Sequence, residues 1–417
     1  MGIIVGDDGR QVVPARVRIG YATGDFGISI AYFAFGFFFL FYLTDLVGLP
    51  PSVAGTVVLV GKLWDGVNDP LIGMVCDRTR SRHGRKRVYL LYGAVPFGTS
   101  FAVLWWIPAG APTEAVAAMA TALVLLFATT YSLVGVPYQA LVPVITDDYD
   151  ERTRLVGYKA VFSTLGAVLG GGIALVISAR ADVQTALRVT ALVFAGGIIA
   201  SIMVAARATR EMARADRHPI SPVPLSRYVR LAAEPNVSVL MGYKLLGAVA
   251  TGTLTAALPF FAHHVIGSAS SATFSLAIYT VFGAALVPVW VRLTRRYDKR
   301  RLVLVSNGLV ALTLLGIAGL TTSGSSRVFL GGSALGLGVA GFVLGLVLQW
   351  SGYVAGADTQ PPGAVLGVRL AFGLVPAVFL VAAGLALLRY RITRESLGRA
   401  QAANAAQGAA APGRDES

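Results

Sequence analysis

"GKLWDGVNDPLIG", residues 61–73, places two aspartates inside a long apolar run. Asp65 and Asp69 stand at i and i+4, so on a helix they share one face. The surrounding run, from about 52 to 76, is long enough to cross a hydrocarbon core of ~30 Å, with Asp65 near its midpoint. An Asp at the centre of such a helix costs roughly 2.5–3.5 kcal/mol on insertion scales. Two acids on one face therefore need a partner or a purpose. Lys62, three residues before Asp65, offers a partner for one of them, and a Lys–Asp pair that merely ties helices together is one reading. It leaves Asp69 without a sequence-local partner. The other reading is a cation site. Two carboxylates and the amide oxygen of Asn68 are hard oxygen donors suited to Na⁺ or a proton. Pro70 frees a backbone carbonyl one turn earlier, near Gly66.

The rest of the chain has the same character. Its 417 residues are 55% hydrophobic and only 13% charged, and the mean hydropathy is +0.68. Apolar stretches of bilayer-spanning length recur throughout, which excludes an ordinary soluble globule and a β-barrel of alternating ten-residue segments. The sequence reads as an all-α membrane protein with about eleven transmembrane helices: about 19–44, 52–76, 88–108, 113–144, 156–178, 186–206, 236–265, 269–294, 302–321, 327–355 and 364–389. Residues 1–206 form an N-terminal bundle of six spans, 207–235 a cytoplasmic linker, 236–390 a C-terminal bundle of about five, and 391–417 a low-complexity cytoplasmic tail expected to be disordered. The polar first ~17 residues and the long first span read as an uncleaved N-terminus.

A net charge of +14 would point to nucleic acid on a soluble protein. Here Lys and Arg gather in "DRTRSRHGRKR" (77–87), in 207–235 and in "RLTRRYDKRR" (292–301), while the intervening loops carry almost none. That is the pattern of cytoplasmic loops, so the N-terminus is expected inside, the partners are the bilayer and a small-molecule substrate, and nucleic acid is excluded. A monomer in the cell (inner) membrane is expected. An odd number of spans, however, would carry "RYRITRESLGR" to the outside, against the same rule. The basic loops after the second span of each half form a weak internal repeat, as in transporters built from two related halves. The lone Cys76 forms no internal disulfide, and adjacent His263 and His264 read as a surface pair near the outer interface rather than metal ligands. No nucleophile or phosphate-cradling motif marks an enzyme, and no cofactor beyond a coupling ion is implied.

Three more segments carry polar groups into apolar surroundings. Asp25 lies in the first third of span 1, either as a substrate contact or as an interfacial acid. Span 4 contains "YSLVGVPYQALVP" (131–143), where Ser132 is a further oxygen ligand and Tyr131, Tyr138 and Gln139 could line a polar cavity. The aspartate stretch with the basic loop behind it, "WDGVNDPLIGMVCDRTRSRHGRKR", resembles the signature of the glycoside–pentoside–hexuronide:cation symporter family of the major facilitator superfamily. "GDFGIS" and "VPYQALVPVITDDYDERTRLVGYKAVFSTLG" resemble the same family, densely in the N-terminal half and thinly beyond it. The resemblance implies the major facilitator fold, two pseudo-symmetric bundles, with one helix fewer than the family's twelve. It implies a coupling cation, Na⁺ or H⁺, at Asp65, Asn68, Asp69 and Ser132. It implies a substrate contact from Asp25 and a gate loop containing Asp77, Arg78, Arg85 and Lys86; Tyr131, Gln139 and Lys159 are further substrate candidates by their polarity, Gln139 standing where the family has an aromatic residue and Lys159 beside the position of its arginine. The family's melibiose-transporting members carry further charged sugar contacts where this chain has Gly135, Ala160 and an apolar residue near Ala334, which points to a less polar substrate. A lysolipid-type symporter, a proton-coupled efflux antiporter and a non-transporting paralogue lacking one helix are the alternatives.

Overall fold

Prolines and aspartates set the starts of the helices. In this computed structural model the described residues are 4–5, 11–146, 148–173, 176, 182–210, 230, 233–266, 304–305, 307–312, 314–315 and 362–388. Helix α1 (Ala15–Phe41) follows Pro14, and α2 (Pro51–Arg78) opens on a proline whose missing N–H is no loss at that position. Then come α3 (Arg87–Val103), α4 (Thr113–Gln139) and a short α5 (Val142–Ile145). Helix α6 (Tyr149–Gly171) starts earlier than the apolar pattern predicts. The Asp148 carboxylate accepts a hydrogen bond from the Glu151 amide at 2.9 Å, so the polar run DERTR becomes the first turns of the helix. Helix α7 (Val183–Ala208) is capped the same way by Asp182. Helix α8 (Pro235–Phe261) opens the second half, and α9 (Pro362–Phe372) and α10 (Leu374–Leu387) close the described chain, broken only at Gly373. The expected spans 269–294 and 327–355, half of 302–321, most of the linker and the tail lie outside the described residues.

Six of these helical stretches are long and apolar enough to cross a membrane. Helices α2 and α6 are as long but less apolar, because they carry Lys62, Asp65, Asp69 and Lys159 in their bodies. They pack on apolar partners. Helix α6 lies against α1 so closely that a Cβ at Gly170 would stand 2.6 Å from the Ile30 carbonyl oxygen. Helix α2 lies against α4, with Gly61 leaving room for Val124.

The two halves meet where α1 and α8 run side by side. Phe41 and Phe260 pack edge to face at 5.2 Å, so both helices end together. Both also end in a π-helical turn, Tyr42–Leu46 and Ala262–Ile266. The opposite end of the bundle is the basic one. There the Arg87 guanidinium donates to the Ala206 carbonyl of α7, and Glu151 accepts from the Val13 amide, Arg18 and Arg154. Leu385 and Ala386 of α10 line one crevice with Ser238, Val239 and Gly242 at the start of α8. Helix α10 therefore ends on the side where α1 and α8 begin. The segment "RYRITRESLGR", for which an orientation conflict is expected, lies outside the described residues; the helix before it finishes at the basic end.

Candidate functional site

Asp65 sits on the edge of the α2 face that meets α4. Lys62 Nζ donates to its Oδ2 at 3.0 Å, the i,i+3 pair that the spacing allows. The other carboxylate oxygen, Oδ1, is buried and has no hydrogen-bond partner. Asn68 is buried on the same face, and its side-chain nitrogen is also without a partner. Rotation about the terminal bond of that amide presents its oxygen instead. Ser132 of α4 is only 1% exposed, and its hydroxyl too finds no acceptor or donor.

Helix register relates these groups. Gly61 faces Val124 and Gly73 faces Val136, the same interval apart on each helix, so α2 and α4 run parallel in constant register. Trp64 Nε1 pins that register by donating to Thr129 Oγ1 at 2.8 Å. It sets Ala128 level with Asp65, and Ser132 level with Asp69. Ser132 is one turn from Ala128 and one turn from Val136, on the α4 face that meets α2. Asp69 itself is exposed among the described residues.

Beside Asp65 a cavity of about 20 Å³ is lined by Tyr32, Phe35, Gly61, Lys62, Val124, Phe127, Ala128 and Tyr131. That volume admits about one water-sized guest. Aromatic rings close it on the α1 side, with Tyr32 and Tyr131 stacked at 6.4 Å and Phe35 tilted against Phe127 at 5.1 Å. Tyr131 thus stands by the cation-site candidates.

A second polar cluster is built differently. Asp25 Oδ2 pairs with Lys159 Nζ at 3.5 Å, with side chains 18% and 12% exposed. The same ammonium lies over the rings of Tyr138, 4.8 Å from its centroid, and Tyr21, 5.6 Å. Those two rings stack at 4.6 Å, and each hydroxyl donates to the other residue's carbonyl, at 2.6 and 2.9 Å. Sequence reasoning named Asp25 and Lys159 separately and missed Tyr21. The available signal was its position one turn before Asp25. Gln139, expected nearby, is exposed at the end of α4, while Tyr138 takes the inward place.

At the basic end, Arg85 pairs with Asp77 at 3.8 Å within the expected gate loop; Arg85 and Lys86 are buried and Arg78 is exposed. At the far end, His264 corrects an expectation. Its side chain is 2% exposed and pairs at 3.5 Å with Asp45 of the π-helical turn after α1, so it lies between the halves rather than on the surface. Thr44 donates to the other Asp45 oxygen at 2.6 Å.

Residues 20–325 and 318–394 match the family model described as MFS/sugar transport protein. The chain belongs to this family. It is 38% identical to a symporter of Synechocystis over 36% of this chain, a match spanning 29% of that protein. It is 24% identical to the glucuronide carrier protein homolog of Escherichia coli over 92% of this chain and 94% of that one. A solved bacterial homolog of the human lysosomal transporter Spinster, inward-facing and occupied, superposes with a TM-score of 0.61 at 14% identity, covering 91% of this chain and 97% of that one. That likeness concerns the fold, which is the major facilitator fold. The family consists of membrane transporters of small molecules rather than enzymes.

Proposed function

We propose that this chain is a cation-coupled symporter that carries a small organic solute of the sugar or glycoside class by alternating access. Asp65, Asn68, Asp69 and Ser132 hold the coupling ion, Na⁺ or H⁺. The observation that supports this most is the set of three buried, unpartnered polar groups on facing turns of α2 and α4: Asp65 Oδ1, the Asn68 amide and Ser132 Oγ. Buried polar groups are otherwise hydrogen-bonded nearly everywhere in proteins, so three orphans in one register are explained by a ligand that completes them.

Substrate binds between α1, α4 and α6, contacted by Asp25, Lys159 and Tyr131. The carbohydrate named for the Escherichia coli relative supports that class. Residues 1–206 and 236–390 act as the two rocking bundles. The contact of Asp45 with His264 and of Phe41 with Phe260 is the closed outer gate of an inward-facing state. Cation and substrate favour the same state, and that shared preference is the coupling.

Purified protein in vesicles tests this. Radiolabelled glycoside uptake should rise on imposing an inward Na⁺ or proton gradient, and Asp69→Asn should remove that rise while the protein still inserts. Undiminished gradient-driven uptake by the variant would refute the assignment. A non-transporting paralogue is disfavoured by the unpartnered polar set and by an α10 that ends on the basic side.

A further inference from the structure

We infer that Lys62 sets the valence selectivity of the α2 site, holding it to a single monovalent cation. The inference rests on the cation-site reading above and goes beyond it. Asp65 and Asp69 contribute two negative charges on adjacent turns of one helix face, and Lys62 contributes one positive charge 3.0 Å from Asp65 Oδ2. Among the described residues lining the cavity, Lys62 and Asp65 are the only charged ones. Those two cancel, and Asp69, exposed one turn further along the same face, leaves the group of three with one net negative charge, which one monovalent ion cancels. A divalent ion would leave a surplus positive charge beside the buried Asp65 Oδ1, and unbalanced charge there is disfavoured.

The geometry lets the ammonium remain while the guest binds. Lys62 engages only Oδ2, so Oδ1 stays available. The ammonium also lies 5.7 Å from the centroid of the Phe35 ring, whose face attracts a cation. Lys62 can lean toward that ring as an ion approaches Asp65, without leaving the carboxylate unpaired. A lysine needed only to hold α2 in place would have no reason to stand on the cavity wall beside the one carboxylate oxygen that lacks a partner.

The test uses full-length protein purified in detergent. The thermal unfolding midpoint is followed while NaCl or CaCl2 is titrated against choline chloride at constant ionic strength. Wild type should be indifferent to Ca²⁺. Lys62→Gln, which leaves two negative charges, should be stabilised by Ca²⁺ at concentrations about tenfold or more below any that affect wild type, a range that loss of one nearby unit charge supplies. Lys62→Arg should behave as wild type, and Lys62→Gln combined with Asp69→Asn, which restores one net negative charge, should lose the Ca²⁺ response. Lys62→Gln that ignores Ca²⁺, or wild type that Ca²⁺ stabilises, overturns the inference. Should Lys62→Gln fail to fold, Lys62→Met, which keeps the apolar stem and removes the charge, is read in its place by the same criterion. Failure of the underlying reading looks different: gradient-driven uptake would then survive Asp69→Asn whatever Lys62 does.

Discussion

Asp65 and Asp25 are both acids within membrane-length helices, and both have a lysine within reach, yet their surroundings differ. Lys62 reaches Asp65 from its own helix and engages one oxygen, leaving the other buried without a partner beside a small cavity. Lys159 reaches Asp25 from α6 and is held over two tyrosines that bond to each other's backbone. The first arrangement is electrostatically incomplete, and the second is closed. A buried carboxylate oxygen that nothing in the protein uses thus suits an ion, whereas an acid already paired with a lysine suits a solute whose hydroxyls can share both charges.

Substitutions can break or sharpen that contrast. The largest effect is expected from Asp69→Asn, which should reduce gradient-driven uptake in vesicles to the leak rate with little change in unfolding midpoint. Lys159→Ala should lower stability as well as uptake. It leaves the Asp25 charge unpaired among helices and should destabilise the protein by about 3 kcal/mol, the scale for halving a buried ion pair. A second change, Asp25→Asn, should recover much of that loss in a thermal melt; a raised melting point for Asp25→Asn in the otherwise unchanged chain would show that the pair costs stability instead of supplying it. Ser132→Ala removes a hydroxyl with no protein partner, so stability should change by less than about 1 kcal/mol. Half-saturation of uptake by the coupling ion should nevertheless rise about tenfold, as for loss of a group supporting an ion site. Tyr21→Phe should show the smallest effect, costing about 1 kcal/mol for the hydrogen bond to the Tyr138 carbonyl and leaving the ion dependence of uptake unchanged.

Much of this contrast was readable beforehand, but unevenly. The Lys62–Asp65 pair is local, three residues apart on one helix, so spacing alone places it. The helices α1 to α4, α7 and α8 follow the apolar runs within a few residues for the same reason. Helix α6 was misjudged at its start, because its first turns are polar and stabilised by the Asp148 cap rather than by burial. The closed cluster was not readable as a cluster. Tyr21 and Tyr138 are far apart in sequence, and their mutual hydrogen bonds depend on how α1 lies across α4. Gln139 was chosen for its polarity, although Tyr131 and Tyr138, two turns apart, share a face that it does not. His264 was misread for a related reason. Its burial follows from α1 passing alongside α8, a contact between halves that no local pattern encodes.

The π-helical endings of α1 and α8 bear on how the molecule could move. Each winds one more residue into its last turn than an α-helix holds, which rotates everything beyond it by roughly a quarter of the circumference. Asp45 and His264 both lie within these overwide turns, so tightening either one to regular α geometry would swing a side chain out of reach of its counterpart. Two helices could then disengage at their tips by local rewinding, with their bodies still standing in place.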